Sequence, residues 1–185
     1  MALGSLWARA RSRPVFLRQF SAYLFGIATW VPAIIWFNAN VAELTVINGP
    51  SMYPFLNEGY NESLRRDLVL NYKLYAQENL ARGMIVTFKS PLDPEKIVVK
   101  RIVGTEGDVV PTRKPYPHAF IRVPPGHVWV EGDSPDERMT MDSNTYGPIS
   151  ARLVTGRITH ILLPWKKAGR VKWWEHQDRM GRVWA

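Results

Sequence analysis

Between Arg18 and Glu43 the chain runs for 24 residues without a charge, and its centre, Tyr23 to Phe37, is almost wholly apolar. About 20 mostly apolar residues suffice for a helix to cross a bilayer, so residues 19–42 predict a transmembrane anchor. Tyr23, Trp36 and Phe37 sit near its edges, where amphipathic rings suit the headgroup region. Pro32 lies inside it, and membrane helices tolerate the kink that a proline brings. Arg9, Arg11, Arg13 and Arg18 precede the run with no acid among residues 1–20. That bias predicts that residues 1–18 stay on the inner side and that the bulk of the chain lies across the membrane. The same residues also fit a signal peptide cleaved near Ala39-Asn40-Val41, a buried helix of a soluble protein, or an Arg-rich transit peptide.

The formal charge of +8 comes from the two ends of the chain. Residues 1–20 contribute +4; residues 165–185 contribute another +4, six Lys or Arg against Glu175 and Asp178. Residues 21–164 hold fourteen bases and fourteen acids and sum to zero. A nucleic-acid-binding domain concentrates its charge on a folded face, so no nucleic-acid partner is expected. The tail, residues 165–185, mixes these cations with Trp173, Trp174 and Trp184. It fits either an anionic membrane surface or a solvated, frayed end.

Residues 43–164 have a β character. Leu68-Val69-Leu70, Met84 to Phe88, Ile97-Val98-Val99, His127 to Val130 and Ile158 to Leu163 are short β-branched or aromatic runs. Turn signals such as Arg82-Gly83, Glu106-Gly107-Asp108 and Pro124-Pro125-Gly126 separate them. A mainly β domain, antiparallel or mixed, follows. The best remaining helical stretch is the linker around Asn61 to Arg66.

The absence of cysteine excludes disulfides, thiol nucleophiles and thiolate metal sites. The four histidines show no ligand spacing, so neither a metal nor another cofactor is expected. What remains is hydroxyl chemistry. Ser51 lies in Asn48-Gly49-Pro50-Ser51-Met52-Tyr53-Pro54, after the run Leu44 to Ile47. Gly and Pro there set a tight bend that can expose a hydroxyl, although most serines in such settings only make a turn. No histidine stands as its base, which turns attention to lysine.

Lys100 and Arg101 interrupt an apolar strand and must point to opposite faces. One cation is expected in solvent and the other on the apolar side. A desolvated amine there would be neutral near pH 7 and a competent base. Both cations snorkelling to water is the competing outcome. A third segment, Gly132-Asp133-Ser134 to Gly147-Pro148, is polar enough for a hydrogen-bonded loop. In it Thr140 or Ser143 would orient the amine, and Asp142 would hold the loop.

Taken in order, these segments resemble the type I signal peptidases, membrane-anchored Ser–Lys proteases. The boxes are Ser51-Met52-Tyr53-Pro54; Arg82-Gly83-Met84-Ile85-Val86-Thr87-Phe88, similar to R-G-D-I-V-x-F with Met for Asp; Lys100-Arg101-Ile102-Val103-Gly104-Thr105-Glu106-Gly107-Asp108; and Gly132-Asp133 followed by Asp142-Ser143-Asn144. Pro124 to Asp133, Asp142 to Ser150 and Asn57 after Pro54-Phe55-Leu56 are similar to the mitochondrial branch of that family.

The resemblance implies a signal-peptidase-like β fold over residues 43–164, Ser51 as nucleophile, Lys100 as general base and Thr140 as the lysine's hydrogen-bond partner. Gly49 lacks the hydroxyl that some members contribute to the oxyanion hole, which leaves more of that task to the Ser51 N–H. Val46, Ile47, Val98 and Val99 are expected to line pockets for small side chains at the −1 and −3 positions of an extended precursor. The resemblance further implies a related partner subunit, contact with membrane lipid, and a catalytic domain in the intermembrane space.

Overall fold

The computed structural model describes residues 15–60 and 65–175. They fall into two units, one ending at Ala39 and one beginning at Asn40. The first is a single helix, α1, Val15–Asn40. Its part Gln19–Asn40 is, among the described residues, the one helix long and apolar enough to cross a membrane. At about 1.5 Å per residue these 22 residues reach about 33 Å, against about 30 Å of bilayer hydrocarbon. Every side chain from residue 23 to 40 is exposed, Phe25 and Trp30 among them. That is unlike the core helix of a soluble protein. The helix stops two residues short of the expected boundary because Ala42 already belongs to a strand.

The second unit is built on β1 (Ala42–Val46), β2 (Leu68–Tyr72), β3 (Ile85–Lys89), β4 (Ile97–Gly104), β5 (Val109–Pro111), β6 (Phe120–Arg122), β7 (His127–Glu131), β8 (Ile149–Ser150), β9 (Val154–Leu163) and β10 (Gly169–Arg170). The five runs that the sequence marks out lie in or overlap β2, β3, β4, β7 and β9. One sheet runs β1-β2-β9-β3-β4-β7-β8, with β10 added on β9, and β5-β6 form a separate hairpin. All strand pairings among the described residues are antiparallel. One apolar cluster gathers Ile47, Met52, Leu56, Val69, Ile85 and Ile158. A second gathers Val86, Phe88, Ile102, Val128, Val130 and Val154. The two clusters use opposite faces of β3 and β4, because successive side chains alternate.

The first two strands invert the usual alternation. Their inward face carries Glu43, Thr45, Asn71 and Val69, and Asn71 Nδ2 donates to Glu43 Oε1 at 3.0 Å. Their outward face carries Leu44, Val46, Leu68, Leu70 and Tyr72, with Leu44 and Val46 at least half exposed. Along the chain, only Val41 separates β1 from α1.

Two expectations change here. Residues 61–64 of the helical linker lie outside the described residues, and Arg65 and Arg66 have no regular structure. The tail is not frayed as far as Glu175. Gly169 and Arg170 pair with Ile161 and His160, Val171 is buried, Trp173 packs against the first cluster and Lys167 meets Glu58 at 2.8 Å. The β unit therefore extends beyond residue 164. Trp184 lies outside the described residues.

Candidate active site

β4 carries two adjacent cations, and both are buried: Lys100 is 2% exposed and Arg101 3%. The expectation that one of them reaches solvent fails. Arg101 stays inside because a carboxylate 32 residues away meets it. Its Nε and Nη2 donate to Asp133 Oδ1 and Oδ2 at 2.8 and 2.6 Å, and its Nη1 donates to Gly83 O at 2.9 Å. The Phe55 ring covers the guanidinium at 4.7 Å. A bidentate pair with a satisfied third donor is the arrangement that makes a buried guanidinium tolerable.

Lys100 points to the other face, where Val86 is its cross-strand neighbour and Ile102 follows on the same side. Burial pushes its ammonium down to about 8, against the pull of Asp142 and then Asp133. Desolvation wins because both carboxylates are engaged elsewhere. Asp133 holds Arg101. Asp142 Oδ1 accepts from Asn144 N and Nδ2, both at 3.0 Å, and its Oδ2 accepts from Gly132 N and Thr140 Oγ1, both at 3.2 Å.

Ser51 and Thr140 meet at Gly132. The β4–β7 register pairs Arg101 with Glu131 and Ile102 with Val130; continued one residue beyond the end of β7, the same register would place Gly132 opposite Lys100. Cross-strand neighbours share a face, so the Lys100 side chain and the missing Gly132 side chain point the same way. A Cβ on Gly132 would fall 2.3 Å from Thr140 Oγ1 and 2.5 Å from Ser51 O. Glycine is required here for that close approach. The half-buried Ser51 is fixed on this side through its carbonyl, which accepts from Ser134 N at 3.2 Å. Four residues on in the same segment, Phe55 lies over Arg101, whose side chain points to the face opposite Lys100.

The remaining expected site residues separate. Ser143 is fully buried, and its Oγ accepts from Val130 N at 3.0 Å, which holds β7. Of the four valine and isoleucine positions expected to line pockets, Val46 faces outward at 50% exposure, while Ile47 is 3% exposed in the first cluster. Val98 and Val99 are half-buried on opposite faces of β4 and pack on different clusters. The four therefore form no single wall. Local sequence does not mark Asp133 as the counter-ion of Arg101, because 32 residues separate the two; nor does it single out Gly132 as a contact point. A glycine placed directly after a strand run was the available signal for the second.

The family model described as signal peptidase, peptidase S26, matches residues 19–116. The chain belongs to the signal peptidase family. It is thus a peptidase of the serine, signal-peptidase type. Its similarity to mitochondrial inner membrane protease subunit 2 of Schizosaccharomyces pombe is 40% identity over 156 residues, 84% of each chain. The Saccharomyces cerevisiae subunit 2 is 40% identical over 158 residues, 84% of this chain and 85% of that one. Subunit 1 of the Homo sapiens protease is 36% identical over 131 residues, 67% of this chain and 71% of that one.

Proposed function

We propose that this peptidase works in the mitochondrial inner membrane and uses Ser51 and Lys100 as its nucleophile and general base. The observation that carries the dyad is a buried, desolvated amine on the face of β4 toward which Gly132, the Ser51 carbonyl and the Thr140 hydroxyl converge. Neutral Lys100 Nζ takes the proton from Ser51 Oγ as that oxygen attacks the scissile carbonyl carbon. The Ser51 N–H donates to the resulting oxyanion. Collapse breaks the C–N bond, and the leaving amine takes the proton back from the Lys100 ammonium. Lys100 Nζ, neutral again, then takes a proton from the water that attacks the Ser51 ester carbonyl, and returns it to Ser51 Oγ as the C–O bond breaks. Thr140 Oγ1 keeps lone pairs free to accept from Nζ while it donates to Asp142.

Substrates are precursors with sorting segments delivered to the membrane. An extended segment presents its −1 and −3 side chains on one face, so small residues there suit a shallow cleft. Helix α1 serves as the anchor, and the arginines before it keep the N-terminus in the matrix and the β unit in the intermembrane space. The outward apolar face of β1 and β2 suits a lipid surface. Relatives named as subunits 1 and 2 support assembly with a related subunit.

The test is maturation of a membrane-delivered precursor by the full chain and by its Ser51→Ala and Lys100→Met variants. Each variant is expected to lose at least about 1,000-fold in turnover, since the members of such a unit act together. Undiminished maturation by either variant contradicts the dyad.

A further inference from the structure

The segment that bears Ser51 leaves the sheet after β1 through Gly49, which sits at φ +92°. Glycine is permissive there, so nothing intrinsic fixes the direction of its peptide groups. A nucleophile needs the opposite. A displacement of about 1 Å can lower turnover about 100-fold. Some group must therefore hold this entry.

Asn57 does so from the other end of the same loop. It is 1% exposed, at φ +57°, a left-handed conformation that asparagine tolerates better than most residues. Its Nδ2 donates to two carbonyls before the nucleophile, Ile47 O at 2.8 Å and Gly49 O at 3.1 Å. Its Oδ1 accepts from Asp67 N at 2.8 Å. The backbone answers: Asn57 N donates to Asp67 Oδ2 at 3.0 Å, and Ile47 N donates to Asp67 O at 2.9 Å. Entry and exit of the loop are thus stapled to each other and to the start of β2. Two carbonyls on the nitrogen side and an N–H on the oxygen side leave one orientation for the amide.

We infer that Asn57 is a positioning residue for catalysis. It fixes the Gly49 peptide, and through Pro50 it fixes the direction in which the Ser51 hydroxyl and N–H face the scissile carbonyl. Side-chain hydrogen bonds to the entry carbonyls stand in for rigidity that Gly49 cannot supply. The inference rests on Ser51 being the nucleophile and adds a residue that touches neither substrate nor Lys100.

Two substitutions isolate the effect in the full membrane-embedded chain. Asn57→Gly keeps the left-handed backbone and deletes all three side-chain bonds. Asn57→Asp keeps the shape and the acceptor but loses both donors. The substrate is a precursor-derived peptide with alanine at −1 and −3. An activated peptide ester counts competent Ser51 by its burst, so turnover is expressed per reactive serine and loss of folded protein does not enter. Both variants are expected to lose about 10- to 100-fold in kcat, with KM within about twofold and an unchanged pH limb, because the surroundings of Lys100 are untouched. Folded variants with kcat within about twofold of the parent overturn the inference, as does failure of both to fold, which would make Asn57 a determinant of the fold alone. Ser51→Ala in the same series separates the two claims. If it stays fully active, the nucleophile assignment falls; if it is inert while the Asn57 variants work normally, only the positioning role falls.

Discussion

As the proposed general base, Lys100 is a residue at which stability and activity make opposite demands. Its fall from the ordinary 10.5 to about 8, at about 1.4 kcal/mol per pH unit, means that keeping this amine buried costs about 3 kcal/mol at neutral pH. Between pH 8 and 10.5 the unfolded chain binds the proton and the folded chain does not, so this residue makes stability rise with pH across that window. Below pH 8 both states are protonated and the full penalty remains. Lys100→Met, similar in volume and uncharged, is therefore expected to unfold about 1–3 kcal/mol less readily at pH 7 and to lose that rise, as read by denaturant titration at several pH values. A variant less stable than the parent at pH 7 would contradict the burial argument. Sequence made Lys100 a candidate, since a cation between Ile97-Val98-Val99 and Ile102-Val103 has nowhere polar to go on one face. It gave no hint that Arg101 is equally buried, because the partner Asp133 is brought in only by the β4–β7 register.

At the scale of elements, β4 shows how one strand carries two charges through a core. Lys100 stays inside as an amine ready to lose its proton, whereas Arg101 stays inside as a paired ion. Removing one member of a buried pair strands the other and costs about 3–5 kcal/mol. Asp133→Ala is accordingly expected to destabilise the chain by about that amount in chemical denaturation. The double variant Arg101→Met with Asp133→Ala is expected to recover most of it, and a single variant within about 1 kcal/mol of the parent would show that the pair does not stabilise β4. The strands richest in β-branched residues were legible because their buried faces demand such residues. β2 was legible as a run but not in its orientation: with β1 it turns Glu43, Thr45 and Asn71 inward and Leu44 and Val46 outward, which reverses the pattern from which a buried face is read. The strand β10 was illegible: Gly169-Arg170 has no β signature, and only pairing with β9 makes it a strand.

For the whole molecule, charge and hydropathy divide the chain into parts with separate tasks. In the proposed function the basic N-terminal segment and the uncharged run orient the chain, while the chemistry lies in the neutral middle, onto which the first part of the basic tail folds through β10, Val171 and Lys167. The site itself assembles from segments about 50, 100 and 130–144 along the chain, joined by long-range ladders. Motif order made them visible as a set, but their meeting point at Gly132 depends on tertiary contact.

In the proposed dyad, Lys100 must lack one proton before Ser51 can attack. The most direct measurement is the pH dependence of kcat/KM for a short precursor peptide, with Lys100→Arg alongside. The parent is expected to rise tenfold per pH unit and level off above an apparent pKa near 8, with the arginine variant inert throughout, because a guanidinium does not deprotonate in proteins. A flat profile between pH 6 and 9, or turnover by the arginine variant near that of the parent, would contradict it.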